Sequence, residues 1–358
     1  MKKLLLPFTA VLLTQCSTEL PPSEQVQTPL NPASDYQAAK GEPTVDDIAR
    51  FLAGRPVENG EALSTYQRTN GNYHTHAVEF DYLWRKMASK RTLRQQQYFH
   101  ETIKPLIGAS STVVYPFGGP DVLYGTSMFP QASTYVLIGL EPVGGIPDLT
   151  SDPSGLLKRL SIVMDEPLRH GYYITKEMRQ APAVTPILLT SLGLMGARVD
   201  NVQSISAAGR PGVEVRFRTS RGSNKRLIYV SADLSNRGFD SGLQSWLGQY
   251  SGGTGYFKAA SYLQHDPNFS GIRDWTLANC KSVVQDDSGI PYRYYVSNGW
   301  DVTLLGTYQR PIPLFARWKQ NDLASAYQAI GGRGAEIPFG SGYHLKMAEA
   351  NLQVCKKK

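Results

Sequence analysis

The sequence predicts an α+β fold: a helical N-terminal layer followed by a mixed sheet with flanking helices. Three observations point there. Helical apolar periodicity fills residues 44–104, and apolar runs of strand type recur from residue 112 onward. Those runs do not alternate strictly with helices, as a doubly wound sheet would require. The chain has 358 residues, 41% hydrophobic and 19% charged, which suits a packed core and excludes disordered, collagen-like and coiled-coil chains.

In chain order, the first signal is a leader. Lys2 and Lys3 precede an apolar run over residues 4–13, too short to cross a bilayer, which needs about 20 helical residues. Leu13-Thr14-Gln15-Cys16 resembles a bacterial lipoprotein signal, with a leucine three residues before the cysteine; Gln15 stands where that pattern has a small residue. The resemblance implies a signal peptide over residues 1–15, lipid on Cys16 and a membrane as partner. Residues 16–43 are rich in Pro, Ser, Thr, Gln and Glu and read as a flexible tether.

Thr44 is placed to cap a helix over residues 44–53, with Asp46 and Asp47 at its positive end and Ile48, Phe51 and Leu52 on one face. Phe80, Leu83, Trp84 and Met87 form the stripe of a second helix over residues 77–104, which Pro105 should stop. Residues 44–110 are therefore a helical region, and residues 111–358 a mixed α/β body.

Within that body, strands are expected at residues 112–115, 134–140, 213–218, 227–232, 282–285, 292–296 and 302–308. A hairpin loop spans residues 220–224, and helices are expected at 156–168, 271–279 and 322–330. The glycine-rich stretches 251–255 and 331–334 lack phosphate-loop spacing and read as flexible loops. No fixed-period repeat points to a solenoid or propeller.

Cys280 and Cys355 remain once Cys16 is set aside. In an exported chain they are expected to form a disulfide, stabilising by about 3–4 kcal/mol through the loop they close. No cysteine has zinc spacing, and neither a metal nor another cofactor is expected. His74 and His76 would share a face only on a strand, and read as polar loop residues.

Carboxylates carry the candidate chemistry. Asp121 ends the segment Tyr115-Pro116-Phe117-Gly118-Gly119-Pro120-Asp121, and reads either as a presented acid or as the N-cap of a helix from Val122. Asp286 and Asp287 read as general acid and base or as ordinary turn residues. As a hydrolytic pair, Asp121 and the Asp286–Asp287 turn would converge in one cleft, carboxyls about 5–9.5 Å apart. Nucleophile-elbow, zincin, P-loop and CxxC motifs are missing. Tyr294, Trp300, Tyr308 and Arg310 are the candidates for a stacking platform, with a tyrosine-rich core as the alternative. His170, Tyr172, Tyr173, Lys176 and Glu177 make a second polar-aromatic cluster.

The segments Tyr115 to Asp121, Leu137-Ile138-Gly139-Leu140-Glu141-Pro142-Val143-Gly144 and Gln285 to Tyr295 resemble those of uncharacterised bacterial exported proteins. That resemblance implies an envelope protein and transfers no catalytic residue. Formal net charge is +7, and losing Lys2 and Lys3 with the signal leaves +5. Nucleic acid is not expected as a partner, since no basic helix interleaved with stacking aromatics is present. The expectation is a lipid-anchored protein of the bacterial cell envelope, in the periplasm or at the surface, with a non-catalytic binding or scaffolding role toward a surface glycan or partner protein. The alternative is an exported hydrolase acting on a polymer through paired carboxylates.

Overall fold

The computed structural model describes residues 41–173, Met178 and 183–358. The leader, Cys16, Lys176 and Glu177 lie outside the described residues. The fold is α+β, as expected: a nine-stranded mixed sheet with helices around it. In chain order the strands are β1 (Thr112–Tyr115), β2 (Thr134–Gly139), β3 (Arg198–Ala207), β4 (Arg210–Arg218) and β5 (Asn224–Ser231). They continue with β6 (Thr254–Phe257), β7 (Ser282–Gln285), β8 (Asp301–Gly306) and β9 (Asn351–Lys356). Across the sheet they run β3-β4-β5-β2-β1-β6-β7-β9-β8.

The five central strands, β5-β2-β1-β6-β7, are parallel, and an antiparallel pair flanks each side. Parallel strands must be covered on both faces, and alternation along them achieves this. Val113, Tyr115, Tyr135, Leu137, Leu227 and Tyr229 join one core, with the helices Val45–Leu52, Pro153–Arg169 and Val184–Leu194. Val114, Val136, Ile138, Ile228 and Val230 join the other, with the helices Ser241–Gly248 and Ser270–Asn279. The N-terminal helices thus share a core with the sheet.

Thr44 caps the first helix in a reciprocal capping box with Asp47. The second Asp47 oxygen accepts from the amides of Glu58 at 2.7 Å and Asn59 at 2.9 Å, while Asp46 accepts from the Val199 amide at 2.8 Å and ties the helix to β3. Asp47→Ala is expected to cost about 2–4 kcal/mol, because a cap and two further buried bonds go with it. Urea unfolding checks this; a loss under about 1 kcal/mol would mean that water replaces the carboxylate.

The expected second helix is longer than its stripe. It runs as Gly71–Met87, Leu93–Tyr98 and Lys104–Ile107, joined by π turns at Ala88–Thr92 and Phe99–Ile103. Pro105 is accommodated in a first turn, and the helix ends at Gly108 with φ +76°. His74 and His76 lie in this helix, where two-residue spacing points them apart. His74 is exposed, while His76 is buried with its ring nitrogens on Leu52 O at 2.9 Å and Ser161 Oγ at 3.2 Å.

Three expectations are corrected. Residues 292–296 are not a strand but the helix Tyr292–Ser297, which starts after Pro291 and has its first amide bonded to Gln320 Oε1 at 2.8 Å. The stretch 251–255 is not all loop: Thr254 and Gly255 begin β6, which is wholly buried in the middle of the sheet. A Cβ on Gly255 would meet Val283 at 3.1 Å and Thr276 at 3.3 Å, so crowding rather than flexibility explains that glycine. Cys280 and Cys355 do not form a disulfide; both are free and buried. Cys355 stands opposite Val283, three residues beyond Cys280. At about 3.3 Å per residue the offset is roughly 10 Å, more than a disulfide spans.

Candidate functional site

The carboxyl ends of β1, β6 and β7 gather the sequence-predicted acids. Counted from β1, the parallel strands stand in the order third-second-first-fourth-fifth, and the chain reverses its direction of travel between β1 and β6. Sheets of this order hold ligands at that reversal. Here the position is filled by protein. Lys258, one residue past β6, lies 2.6 Å from Asp121 Oδ2, and their side chains are 3% and 4% exposed. The Tyr115 hydroxyl donates to the same oxygen at 2.9 Å, and Asp121 Oδ1 accepts from the Tyr124 amide, capping the helix Val122–Met128. Lys258 also donates to Gly171 O and sits 3.5 Å from the centre of the Tyr124 ring. Burial pushes the Lys258 ammonium down from its ordinary range, with Asp121 opposing.

The Asp286–Asp287 turn leaves β7 beside it. Asp286 accepts from the amides of Ala259 at 2.8 Å and Ser288 at 2.9 Å, and from the Ser288 hydroxyl. Burial, then the charge of Asp287, push the Asp286 carboxyl up to about 6. Asp287 accepts from the Tyr262 hydroxyl, from His344 Nε2 at 3.1 Å and from Asn351 Nδ2 at 3.1 Å. Burial is the largest influence and opposes the charge on His344, but the bond to Asp287 and the charges of Asp287, Asp286 and Glu349 together outweigh it, and the imidazole is raised above its ordinary value.

These bonds also hold an unusual backbone. Ala259, Ser261 and Tyr262 have φ of +51°, +53° and +59°, left-handed values that side-chain-bearing residues rarely adopt. Asp286 holds the Ala259 amide, Ser288 Oγ accepts from the Ala260 amide, and the Tyr343 hydroxyl donates to Ala259 O. Such strain clusters at functional sites, and here the surrounding network sustains it.

Asp121 and Asp286 do converge, since both act on Lys258, Tyr115 and Tyr256. They do not line a cleft. Each carboxylate is buried and occupied, so the cap and turn readings describe Asp121 and Asp286 and the hydrolytic pair does not. The stacking platform is likewise corrected. Trp300 is 5% exposed in the core against Tyr295, and Tyr308 is 3% exposed in a separate cluster with Leu323 and Tyr327. Tyr294 is half-buried between Arg273 and Arg293, and Arg310 is exposed. The four share no open face.

Sequence reasoning missed Lys258, Tyr262, His344 and Asn351. For Lys258 a signal existed: one cation in the apolar run Gly255 to Ala260. His344 and Asn351 reach Asp287 across 57 and 64 residues, which no local pattern reveals.

A pH dependence follows from Asp286. Its folded pKa is raised above the ordinary 3.8, so its contribution is complete below that value and is lost as pH climbs through about 6. The urea midpoint of Asp286→Asn, relative to the unsubstituted chain, is therefore expected to rise between roughly pH 4 and pH 7. A constant difference would contradict the burial argument.

Comparison of the chain with family models, curated proteins and solved structures finds no match.

Proposed function

We propose that this chain is a protein of the bacterial cell envelope, exported by its leader and tethered to a membrane through lipid on Cys16, whose folded body binds its target without transforming it. The target class is a surface glycan or a partner protein. One observation carries the non-catalytic part: Asp121, Asp286 and Asp287 are each buried and held by three protein donor groups, and none of the three carboxyls is exposed toward a substrate. A glycosidic pair needs one acid that reaches the leaving oxygen and a second that faces water or the sugar. The net charge of +5 left after Lys2 and Lys3 go with the leader supports an acidic target, whose attraction salt would weaken.

Two measurements test this reading. Radiolabelled palmitate is expected in the unsubstituted chain and not in Cys16→Ser; an unlabelled protein free in the cytosol overturns the tether. The purified chain is expected to co-sediment with envelope fragments and to be released by salt. If it instead shortens a polymer, and Asp286→Asn stops that cleavage, the hydrolase reading replaces this one.

A further inference from the structure

A groove of about 500 Å³ lies between the long N-terminal helix, the end of the helix Pro153–Arg169 and the segment from Phe339 to Met347. Its size is that of a small-ligand site. Lys86, Lys90, Arg91 and Arg94 line one side, and none of the four forms an ion pair among the described residues. Two nearby acids are already committed, Asp165 to Arg169 and Glu166 to His170. Like charges four residues apart, as in Lys86, Lys90 and Arg94, repel along a helix. The π turn Ala88–Thr92 carries Lys90 and Arg91 into the groove, and such turns recur at functional sites.

Arg169 and His170, each paired with its acid, also line the groove, and the remaining side chains there are apolar. Met87 and Leu168 belong to the core, while Leu345 and Met347 remain 40% and 42% exposed at the groove. A free inorganic anion would leave that apolar surface in water, and a neutral lipid would leave the four cations without a counter-charge, since Arg91 and Arg94 have only neutral acceptors in the Tyr124 hydroxyl, Pro338 O and Met347 Sδ. Methionines adapt to irregular apolar chains.

We propose that this groove binds an anionic amphiphile, with a phosphate or carboxylate head against Lys86, Lys90 and Arg94 and an apolar tail along Met87, Leu345 and Met347. The inference rests on the envelope-binding reading and narrows its target to one bearing a lipid-like part.

The test titrates the full chain with lysophosphatidylglycerol below its micellar concentration. Lysophosphatidylcholine, inorganic phosphate and an acidic oligogalacturonide serve as comparators, and the variants are Lys86→Glu/Lys90→Glu and Lys86→Gln/Lys90→Gln. Both lysines are exposed, so these variants are expected to fold, which circular dichroism checks. Saturable binding of lysophosphatidylglycerol is expected, at least tenfold tighter than lysophosphatidylcholine and phosphate and weakened tenfold or more in both variants. Equal binding by the variants overturns the site. Phosphate binding as tightly as the lysolipid overturns the amphiphile, and preference for the oligogalacturonide makes the occupant a glycan. Co-sedimentation with envelope fragments is scored separately, so the groove can fail while the envelope reading stands.

Discussion

Lys258→Ala is expected to lower the unfolding free energy by about 3–5 kcal/mol, among the largest single effects in the molecule. The cause is not the loss of an attraction alone. With the ammonium gone, the buried Asp121 carboxyl loses its counter-charge and keeps only the Tyr115 hydroxyl and the Tyr124 amide as partners. Gly171 O loses its donor and the Tyr124 ring loses its cation. Combining Lys258→Met with Asp121→Asn removes both charges and keeps the helix cap, so the double variant is expected to be more stable than Lys258→Met alone. Urea unfolding of the four members of this cycle checks the claim. Additive losses would show that the two groups do not depend on each other.

Asp287→Ala comes next, at about 3–5 kcal/mol, because one carboxylate holds three distant segments. Tyr262 belongs to the strained turn after β6, His344 to the C-terminal loop and Asn351 to β9. Each would be left as a buried donor without an acceptor, and Asn351 already has an unpartnered side-chain oxygen. The raised pKa of His344 also depends on Asp287. The stability this histidine contributes is complete below its ordinary value of 6.5 and is lost as pH rises through its folded value. That decline should vanish from the difference between Asp287→Ala and a variant lacking both groups. Asp287→Asn, which keeps an acceptor, should lose less than Asp287→Ala; equal losses would mean that charge alone matters.

Local chemistry made part of this fold legible. Thr44 and Asp47 announce a capped helix, and the short continuous apolar runs around Val113 and Val136 announce strands. Two kinds of element resisted. β6 is four residues long and holds a glycine selected by crowding from Val283 and Thr276, which resembles loop punctuation when read alone. Tyr292, Tyr294 and Tyr295 have strand preference, but Pro291 and the Gln320 side chain turn that segment into a helix. At the site, Asp121, Asp286 and Asp287 were readable as unusual acids, whereas their partners come from distant chain. The cysteine reasoning failed because counting thiols says nothing about strand register, and register separates Cys280 from Cys355.

On the proposed reading, the charged network at the sheet's carboxyl edge braces the fold and does not contact the target. The most direct test measures envelope co-sedimentation by the folded Lys258→Met/Asp121→Asn chain. Binding equal to that of the unsubstituted chain is expected, since neither residue faces a ligand. A variant that unfolds at the ordinary urea midpoint yet no longer binds would contradict the account and place the pair in the working site.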